Sequence, residues 1–178
     1  MRIVTGKAKG CRLETLSGLE TRPTVERVKE GMFSAINFEI EGRRVLDLFA
    51  GSGQMGLEAL SRGAASCVFV DRSREAVQVV RRNAAATRLA EAATVLCMDA
   101  SAYLSQCRER FGLVFLDPPY DAGQLVPCLE KLSELVIEGG AVLCESDRET
   151  ELPEQVGRLC LERSYRYGRV SVRLYRCK

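Results

Sequence analysis

Residues 45–56 decide the fold of this chain and read Val-Leu-Asp-Leu-Phe-Ala-Gly-Ser-Gly-Gln-Met-Gly. The apolar run that begins at Val45 predicts a buried strand, and the residues from Met55 onward predict a helix. Between them, Gly51 and Gly53 allow positive φ and leave the backbone bare, so that a ligand can lie directly on the turn. A strand, a glycine turn and a helix in this order predict the first unit of a nucleotide-binding α/β domain.

The identity of the ligand depends on an acid near this turn. The glycines satisfy the G-x-G-x-x-G fingerprint, and Asp71 follows Gly51 by about 20 residues, where a ribose-binding acid is expected. This match alone does not separate NAD from another adenosine-bearing ligand. Asp47, however, lies at the carboxyl end of the predicted strand, where it would repel a pyrophosphate and attract an ammonium or a sulfonium. The pattern therefore favours S-adenosylmethionine.

Beyond residue 44, predicted strands and helices alternate. The predicted strands cover residues 45–49, 67–70, 94–98, 113–116 and 141–144. The predicted helices cover residues 54–62, 74–87, 100–107 and 125–136. Ser73 is expected to cap the second helix, Gly63 to end the first, and Gly139-Gly140 to end the last. Repeated units of this length predict a parallel, doubly wound sheet with right-handed crossovers.

The two ends of the chain depart from this alternation. Residues 1–16 predict a small hairpin around Gly6 and Gly10, and Thr24 is expected to cap a helix with apolar residues through Ile36. Residues 159–167 and 170–176 predict a β-hairpin, after a short helix near 153–156. We therefore predict a Rossmann-like α/β fold of the S-adenosylmethionine-dependent methyltransferase type, with a mostly parallel seven-stranded sheet that ends in an antiparallel hairpin. An N-terminal hairpin-and-helix extension, residues 1–40, is expected to cover the crevice of a methyltransferase domain, residues 41–178.

Charge is distributed unevenly along the 178 residues, although the net charge is only +2. Residues 1–44 carry nine basic and six acidic side chains, and residues 158–178 carry seven basic and one acidic. Two basic ends around an acidic centre indicate contact with a polyanion, although arginines on the last strands could instead protect a sheet edge. The chain has no apolar run long enough to span a membrane and no signal-peptide pattern, so we expect a cytoplasmic protein with no membrane partner.

Cysteine and histidine counts limit the chemistry. The eight cysteines contain no C-x-x-C pair and histidine is absent, so most zinc patterns are excluded and no metal is expected. We expect reduced thiols, with Cys67, Cys97 and Cys144 acting as small hydrophobic residues inside strands. Without histidine, the reaction must use carboxylates, tyrosine or backbone groups.

An aspartate follows or ends four of the predicted strands. These residues are Asp47, Asp71, Asp99 and Asp117. The carboxyl ends of parallel strands form the ligand crevice of such a sheet, so we expect the four acids to line it. They would repel one another unless the ligand brought hydrogen-bond donors and positive charge.

Asp117-Pro118-Pro119-Tyr120 follows a buried strand and predicts the catalytic site. The two prolines hold the backbone extended, which fixes the Asp117 carboxylate and the Pro118 carbonyl as adjacent acceptors. Two acceptors can grip the hydrogens of an exocyclic amine and stabilise the positive charge that grows on its nitrogen. Tyr120 offers a flat face on which an extruded base can stack.

These motifs resemble those of a known family. Asp117-Pro118-Pro119-Tyr120 resembles the (Asn/Asp)-Pro-Pro-(Tyr/Phe) motif of amino-group methyltransferases, and residues 47–53 resemble their S-adenosylmethionine loop. The N-terminal pattern is similar to that of the RsmD family, which methylates a guanine N2 in 16S ribosomal RNA. That pattern comprises Arg2-Ile3, Gly6, Gly10, Arg12-Leu13, Thr21-Arg22-Pro23-Thr24, Arg27-Val28-Lys29-Glu30 and Phe33. Residues 57–64, Glu145-Ser146 and Arg173-Leu174-Tyr175 fit as well, and the resemblance covers nearly the whole chain. Cys11 departs from it.

The resemblance implies a role for each candidate residue. Asp117 and Pro118 hold the target amine and Tyr120 stacks, so the catalytic set is Asp117, Pro118, Pro119 and Tyr120. Asp71 meets the ribose, Asp99 the adenine amine, and Asp47 the methionine end of the cofactor. The cofactor set is Asp47, Phe49, Ala50, Gly51, Ser52, Gly53, Asp71, Arg72, Asp99, Ala100, Arg22 and Thr24. Contact with 16S rRNA, within a small ribosomal subunit particle, is expected from Arg2, Lys7, Lys9 and Arg12.

The sequence is also compatible with other functions. Guanine offers N1–H and N2–H as neighbouring donors, which favours Asp117 facing guanine but does not exclude an adenine-N6 methyltransferase acting on DNA or RNA. An NAD-dependent oxidoreductase would use the glycine loop but leave Asp47 and Asp117 without a role. An inactive RNA-binding protein would use the basic ends but would not need the four acids.

Overall fold

The computed structural model describes residues 1–16, 23–118 and 122–178. In these ranges five α-helices lie on the two faces of one eight-stranded sheet. The strands are β1 Arg44–Leu48, β2 Ser66–Asp71, β3 Ala93–Cys97, β4 Phe111–Leu116, β5 Val136–Asp147, β6 Gln155–Val156, β7 Leu159–Tyr167 and β8 Val170–Cys177. The helices are α1 Pro23–Ala35, α2 Gln54–Ser61, α3 Arg74–Ala86, α4 Ala100–Gln106 and α5 Leu125–Leu135.

The order of strands across the sheet is β3-β2-β1-β4-β5-β8-β7-β6. Strands β1 to β5 are parallel, and β8 inserts antiparallel between β5 and β7. This confirms the predicted mostly parallel sheet with a terminal antiparallel hairpin. The sheet has eight strands and not the predicted seven, because β6 pairs with the edge of β7 through two residues.

Two sequence predictions in the second half of the chain are wrong. Helix α5 ends at Leu135, and the chain continues from Val136 directly into β5, which passes through Gly139-Gly140. The strand accommodates the glycines in a bulge, where residues 137–140 stand opposite a single residue of β4 and Gly139 takes a φ of 71°. The short helix near 153–156 is instead β6, because pairing with β7 satisfies its backbone groups.

Local signals placed most of the helix ends correctly. Gly63 adopts a φ of 102° just after α2, and the Ser73 hydroxyl accepts a hydrogen bond from the Ala76 N–H to cap α3. Helix α1 begins at Pro23, so Thr24 lies in its first turn and does not cap it. Proline is favoured at a first helical position because its missing N–H would have no partner there.

Each face of the sheet carries its own apolar core. One core contains β-sheet side chains such as Phe69 and Phe115 together with residues of α1, α2, α3 and the N-terminal segment. Ile3, Leu13 and Phe33 are buried in it, so the N-terminal segment completes this face of the sheet. The opposite core packs α4 and α5 against the sheet. The boundary at residue 40 stays a prediction.

A buried carboxylate holds the N-terminal hairpin against α2. The hairpin closes through an antiparallel bridge between residues 2 and 12, as predicted. Glu58 is fully buried, pairs with Lys29 and Arg62 at 2.9 Å each, and accepts the N–H groups of Val4 and Thr5 at 2.8 and 3.0 Å. Burial raises the pKa of Glu58, but the Lys29 charge and these donors outweigh it and leave the pKa lowered. The hairpin is therefore fixed relative to the glycine turn that precedes α2.

All eight cysteines are free thiols. Cys67 and Cys144 are buried, as predicted, whereas Cys97 is exposed because β3 is an edge strand. Across residues 1–16, 23–118 and 122–178, no helix is both long and apolar enough to cross a membrane.

Candidate active site

The glycine turn leaves the sheet abruptly after β1. Phe49 has a φ of 70°, a left-handed conformation that is uncommon for a non-glycine residue, and its N–H donates to the Val70 carbonyl at 3.0 Å. Gly51 follows with a φ of 55°, and a Cβ atom added there would meet nothing within 4 Å. The open space beside Gly51 is where the sequence predicts the ligand.

Asp71 fastens this turn from the neighbouring strand. One carboxylate oxygen accepts the Gly51 N–H at 2.9 Å, and the other accepts the Ser73 N–H at 2.8 Å. Each oxygen retains a lone pair for a further donor. Asp71 is half-buried at the end of β2, next to the exposed Arg72. Asp71 therefore fixes the turn and still has lone pairs that could accept from ligand hydroxyls. Its role in binding the cofactor ribose stays a prediction.

Asp47 is a buried carboxyl group beneath the turn. Its Oδ2 accepts the Gly56 N–H at 2.9 Å, which fixes the first turn of α2. Burial, with a smaller contribution from the negative charges of Asp117 and Asp71, raises the pKa of Asp47 to about 7, although the hydrogen bond from the Gly56 N–H lowers it in part. The structure thus brings Asp117 and Asp71 within electrostatic reach of Asp47 at this edge of the sheet.

Asp99 lies at the adjacent corner of the same edge. It is exposed after β3, and its Oδ1 accepts the Ala102 N–H at 3.1 Å to cap α4. Ala100, the first residue of that helix, is buried. All four strand-end acids therefore occupy the carboxyl edge, as the sequence predicted.

A carboxyl pair lies at the ends of β4 and β5. Leu116 and Cys144 are register partners, so Asp117 and Glu145 are the next residues on neighbouring parallel strands. Asp117 keeps contact with the solvent of the crevice, yet the surrounding protein displaces enough water to raise the pKa of its carboxyl. Burial, and then the charge of Asp117, raise the pKa of Glu145 as well. Pro118 is buried beside them.

Some of the predicted site residues lie outside the part of the chain that the structure describes. Arg22, Pro119 and Tyr120 fall outside the described residues, as does the side chain of Thr24. Conversely, sequence reasoning gave Glu145 no separate role, although it follows the apolar run of β5 just as Asp117 follows that of β4. Glu145 is a fifth strand-end acid that the same rule would have found.

The residues present fit S-adenosylmethionine. The turn offers unfilled space beside Gly51, and its acids match a ligand that carries an ammonium, a sulfonium and hydroxyl donors. In addition, the buried Oε1 of Gln54, directly after Gly53, has no hydrogen-bond partner in the described part of the chain. A buried acceptor without a partner is costly, so a bound donor group at this turn would stabilise it.

The N-terminal segment is tied directly to the glycine turn. Asn83 on α3 is buried and exchanges hydrogen bonds with the backbone N–H and carbonyl of Glu14 at 2.8 and 3.0 Å. Its amide also donates to the Ser52 carbonyl at 2.9 Å. One side chain therefore couples the position of the N-terminal segment to that of the cofactor turn.

Gly51 in the turn and Gly56 in the first turn of α2 should respond differently to alanine. A Cβ at Gly56 would lie 2.3 Å from Phe69 and 2.6 Å from the Cys67 sulfur, so Gly56→Ala should lower the free energy of unfolding by roughly 1–3 kcal/mol through overpacking. Gly51→Ala meets no atoms and should cost only about 1–2 kcal/mol of left-handed backbone strain, while blocking the cofactor. Urea unfolding and cofactor titration of both variants would check this contrast. Full cofactor affinity in Gly51→Ala would contradict it.

The sheet order, the glycine turn and the row of strand-end acids define an S-adenosylmethionine-dependent methyltransferase. Residues 1–176 match the protein-family profile described as conserved hypothetical protein 95. The chain belongs to this family, which is the RsmD family that its motifs resemble.

Individual relatives match nearly the full length. YlbH of Bacillus subtilis strain 168, named as a candidate rRNA methyltransferase, is 42% identical over 99% of this chain and 98% of its own. The ribosomal RNA small subunit methyltransferase D of Escherichia coli K12 is 34% identical over 98% of this chain and 89% of its own. The solved structure of the candidate methyltransferase yhhF of Escherichia coli is 35% identical, covers 100% of this chain and 98% of its own, and superposes with a TM-score of 0.90.

Proposed function

We propose that this protein transfers a methyl group from S-adenosylmethionine to the exocyclic N2 of a guanine in the 16S rRNA of the small ribosomal subunit. The observation that carries the proposal is the position of Asp117-Pro118, directly after β4 and beside the acids of the glycine turn. Membership of a family that includes ribosomal RNA small subunit methyltransferase D supports the same substrate.

Asp117 performs the central task in this reaction. The cofactor supplies an electrophilic methyl group on a sulfonium. The Asp117 carboxylate and the Pro118 carbonyl accept hydrogen bonds from the guanine N2 amine, which directs the nitrogen lone pair toward the methyl group. As N2 becomes positively charged, Asp117 stabilises the charge and accepts the proton that leaves. Its raised pKa makes it a stronger base than an ordinary aspartate while leaving it ionised at neutral pH.

The remaining acids bind the cofactor in this proposal. Asp47 attracts the ammonium and sulfonium charges, Asp71 accepts from the ribose hydroxyls, and Asp99 accepts from the adenine amine. Tyr120 stacks on the target base, and Arg22 and Thr24 cover the cofactor carboxylate or the base. Phe49, Ala50, Ser52, Arg72 and Ala100 complete the walls of the cofactor site.

The N-terminal hairpin contacts the RNA backbone. Its four basic side chains, Arg2, Lys7, Lys9 and Arg12, are all exposed. By contrast, two of the basic side chains in residues 158–178 have partners within the protein. Arg173 donates to Ser146 and Thr150. Arg176 forms ion pairs with Glu39 and Glu162. Part of the C-terminal charge is therefore structural, and the hairpin is the stronger candidate for RNA contact.

Replacing Lys7, Lys9 and Arg12 together by glutamine should weaken binding to small subunits and reduce its salt dependence. Each lost phosphate contact removes about 0.9 from the slope of log K against log salt concentration. Binding measured between low and moderate salt would check this. Lys131→Gln, an exposed lysine on α5 across the sheet, is the matched control and should leave the slope unchanged. An unaltered slope in the triple variant would mean that these three side chains contact solvent and not the RNA.

The proposed substrate is an assembled small subunit particle in the cytoplasm. A chain of 178 residues has little surface with which to read a long RNA, so an assembled particle supplies the additional contacts. Among the described residues, no group of three or more His, Cys, Asp or Glu side chains is arranged to bind a metal ion.

A cellular experiment tests the proposed function. Deleting the gene should remove one N2-methylguanosine from 16S rRNA, as measured by mass spectrometry of its digestion fragments. Wild-type protein should restore the mark and Asp117→Ala should not. Loss of an N6-methyladenosine instead would establish the adenine alternative, and an unchanged set of modified nucleosides would refute both.

A further inference from the structure

Glu145 is a half-buried carboxyl group that the reaction above does not use. It lies at the carboxyl end of β5, and its side chain makes no hydrogen bond or ion pair with the described part of the chain. Arg173, a basic residue on the neighbouring strand β8, donates instead to Ser146 and to the Thr150 carbonyl. A desolvated acid beside a second acid is unfavourable without a donor, so a ligand that supplies a donor would stabilise Glu145.

The sheet register places Glu145 beside the reacting group. Leu116 and Cys144 are partners across β4 and β5, and both belong to the core on the α4–α5 face. Side chains alternate along a strand, so the next residues, Asp117 and Glu145, both lie toward the opposite face, which α1 and the N-terminal segment cover. Neighbouring strands are about 4.8 Å apart, which brings the two carboxyl groups to one side of a single base.

Two adjacent carboxyl groups match guanine in particular. Its N1–H and N2–H groups are neighbouring donors, whereas adenine has an acceptor at N1 beside its amine. Burial and, to a smaller extent, the charge of Asp117 raise the pKa of Glu145, and a base that brings two donors would offset both effects and favour the ionised pair. An adenine N1 would instead face a carboxylate with no hydrogen between them.

We propose that Glu145 is the residue that selects guanine, accepting its N1–H while Asp117 and Pro118 hold the N2 amine. This inference rests on the proposed function, because it assigns a second contact to the same base. It accounts for guanine rather than adenine as the substrate, which the Asp-Pro-Pro-Tyr motif alone leaves open. A missing hydrogen bond to a charged group costs about 1.5–3 kcal/mol, or roughly 10- to 150-fold in rate.

The test compares guanine with 2-aminopurine at the target nucleotide of reconstituted small subunits. 2-Aminopurine keeps the N2 amine but lacks the N1–H. Wild-type protein should methylate guanine roughly 10- to 150-fold faster than 2-aminopurine. Glu145→Ala should lose most of its rate on guanine, keep its rate on 2-aminopurine, and bind cofactor normally. Glu145→Met, which keeps a similar side-chain length but removes both acceptor oxygens, gives a second variant if alanine impairs folding. Glu138→Gln, exposed on the same strand at the opposite edge, is the matched control.

The outcomes separate this inference from the function on which it rests. Equal rate losses on both bases in the Glu145 variants would mean a structural role and overturn the inference. Unchanged discrimination in a folded variant would overturn it as well. If wild-type protein transferred no methyl group to guanine subunits, the proposed function itself would fail.

Discussion

Asp117→Ala should lower the rate of methyl transfer roughly 100- to 1,000-fold while leaving cofactor affinity nearly unchanged. The substitution removes both the acceptor that orients the target amine and the base that receives its proton. In the proposed function the cofactor is bound by other residues, namely Asp47, Asp71 and the turn around Gly51, and these acids are held by hydrogen bonds that do not involve Asp117. Single-turnover transfer to unmethylated small subunits, with cofactor titration of the same protein, measures both quantities.

The pH profile gives a second readout of Asp117. Because burial raises its pKa, to about 6, the carboxylate is the active form above that pH and is lost as pH falls through it. At saturating cofactor, which removes any effect of Asp47 protonation on binding, wild-type transfer should therefore decline between about pH 7 and 5, and the residual transfer of the variant should not follow that decline. Equal losses of transfer and cofactor affinity in Asp117→Ala would show that the residue belongs to the cofactor site.

Asp47→Asn should stabilise the cofactor-free protein and weaken cofactor binding. A buried aspartate whose pKa is raised from 3.8 to about 7 costs up to roughly 4 kcal/mol of folding free energy above pH 7. Asparagine removes this cost and can still accept the Gly56 N–H. It also removes the negative charge that attracts the cofactor ammonium, so affinity should fall roughly 10- to 100-fold.

The direction of the pH dependence of stability distinguishes an acid with a raised pKa from one with a lowered pKa. The folded protein binds more protons than the unfolded chain between the two pKa values, so wild-type stability falls as pH rises through this range. The advantage of Asp47→Asn should be largest at pH 8 and should shrink toward pH 4. Urea unfolding at both pH values measures it, with Asp147→Asn, an exposed aspartate on β5, as the control. A variant less stable than wild type at pH 8 would contradict this account.

Much of the fold could be predicted because local signals and tertiary structure agree. Apolar runs followed by aspartates marked β1 to β4, and the Ser73 cap and Gly63 placed helix ends correctly. The failures are non-local. Gly139-Gly140 indicates a helix end by composition, yet pairing of Val136 with Phe111 starts β5 earlier and carries it through the glycines. Strand β6 likewise exists only because β7 offers a partner edge.

The acids of the site were predicted from the sequence, but the residues that hold the N-terminal segment beside the site were not. The rule that acids follow parallel strands found Asp47, Asp71, Asp99 and Asp117. Glu58 and Asn83 carry no such signal, since each is one polar residue on a helix. Only the packing of the N-terminal segment shows that both are buried and hold that segment in place. Cys97 shows the same limit, because an apolar run does not reveal that its strand lies at an edge.

The most direct test is transfer from labelled S-adenosylmethionine to small ribosomal subunits that lack the mark, using purified protein and digestion of the RNA to nucleosides. We expect the label in N2-methylguanosine, and we expect transfer to depend on Asp117. Label in N6-methyladenosine would keep the mechanism but contradict the assigned base. Absence of label from a protein that binds the cofactor would contradict the proposed substrate.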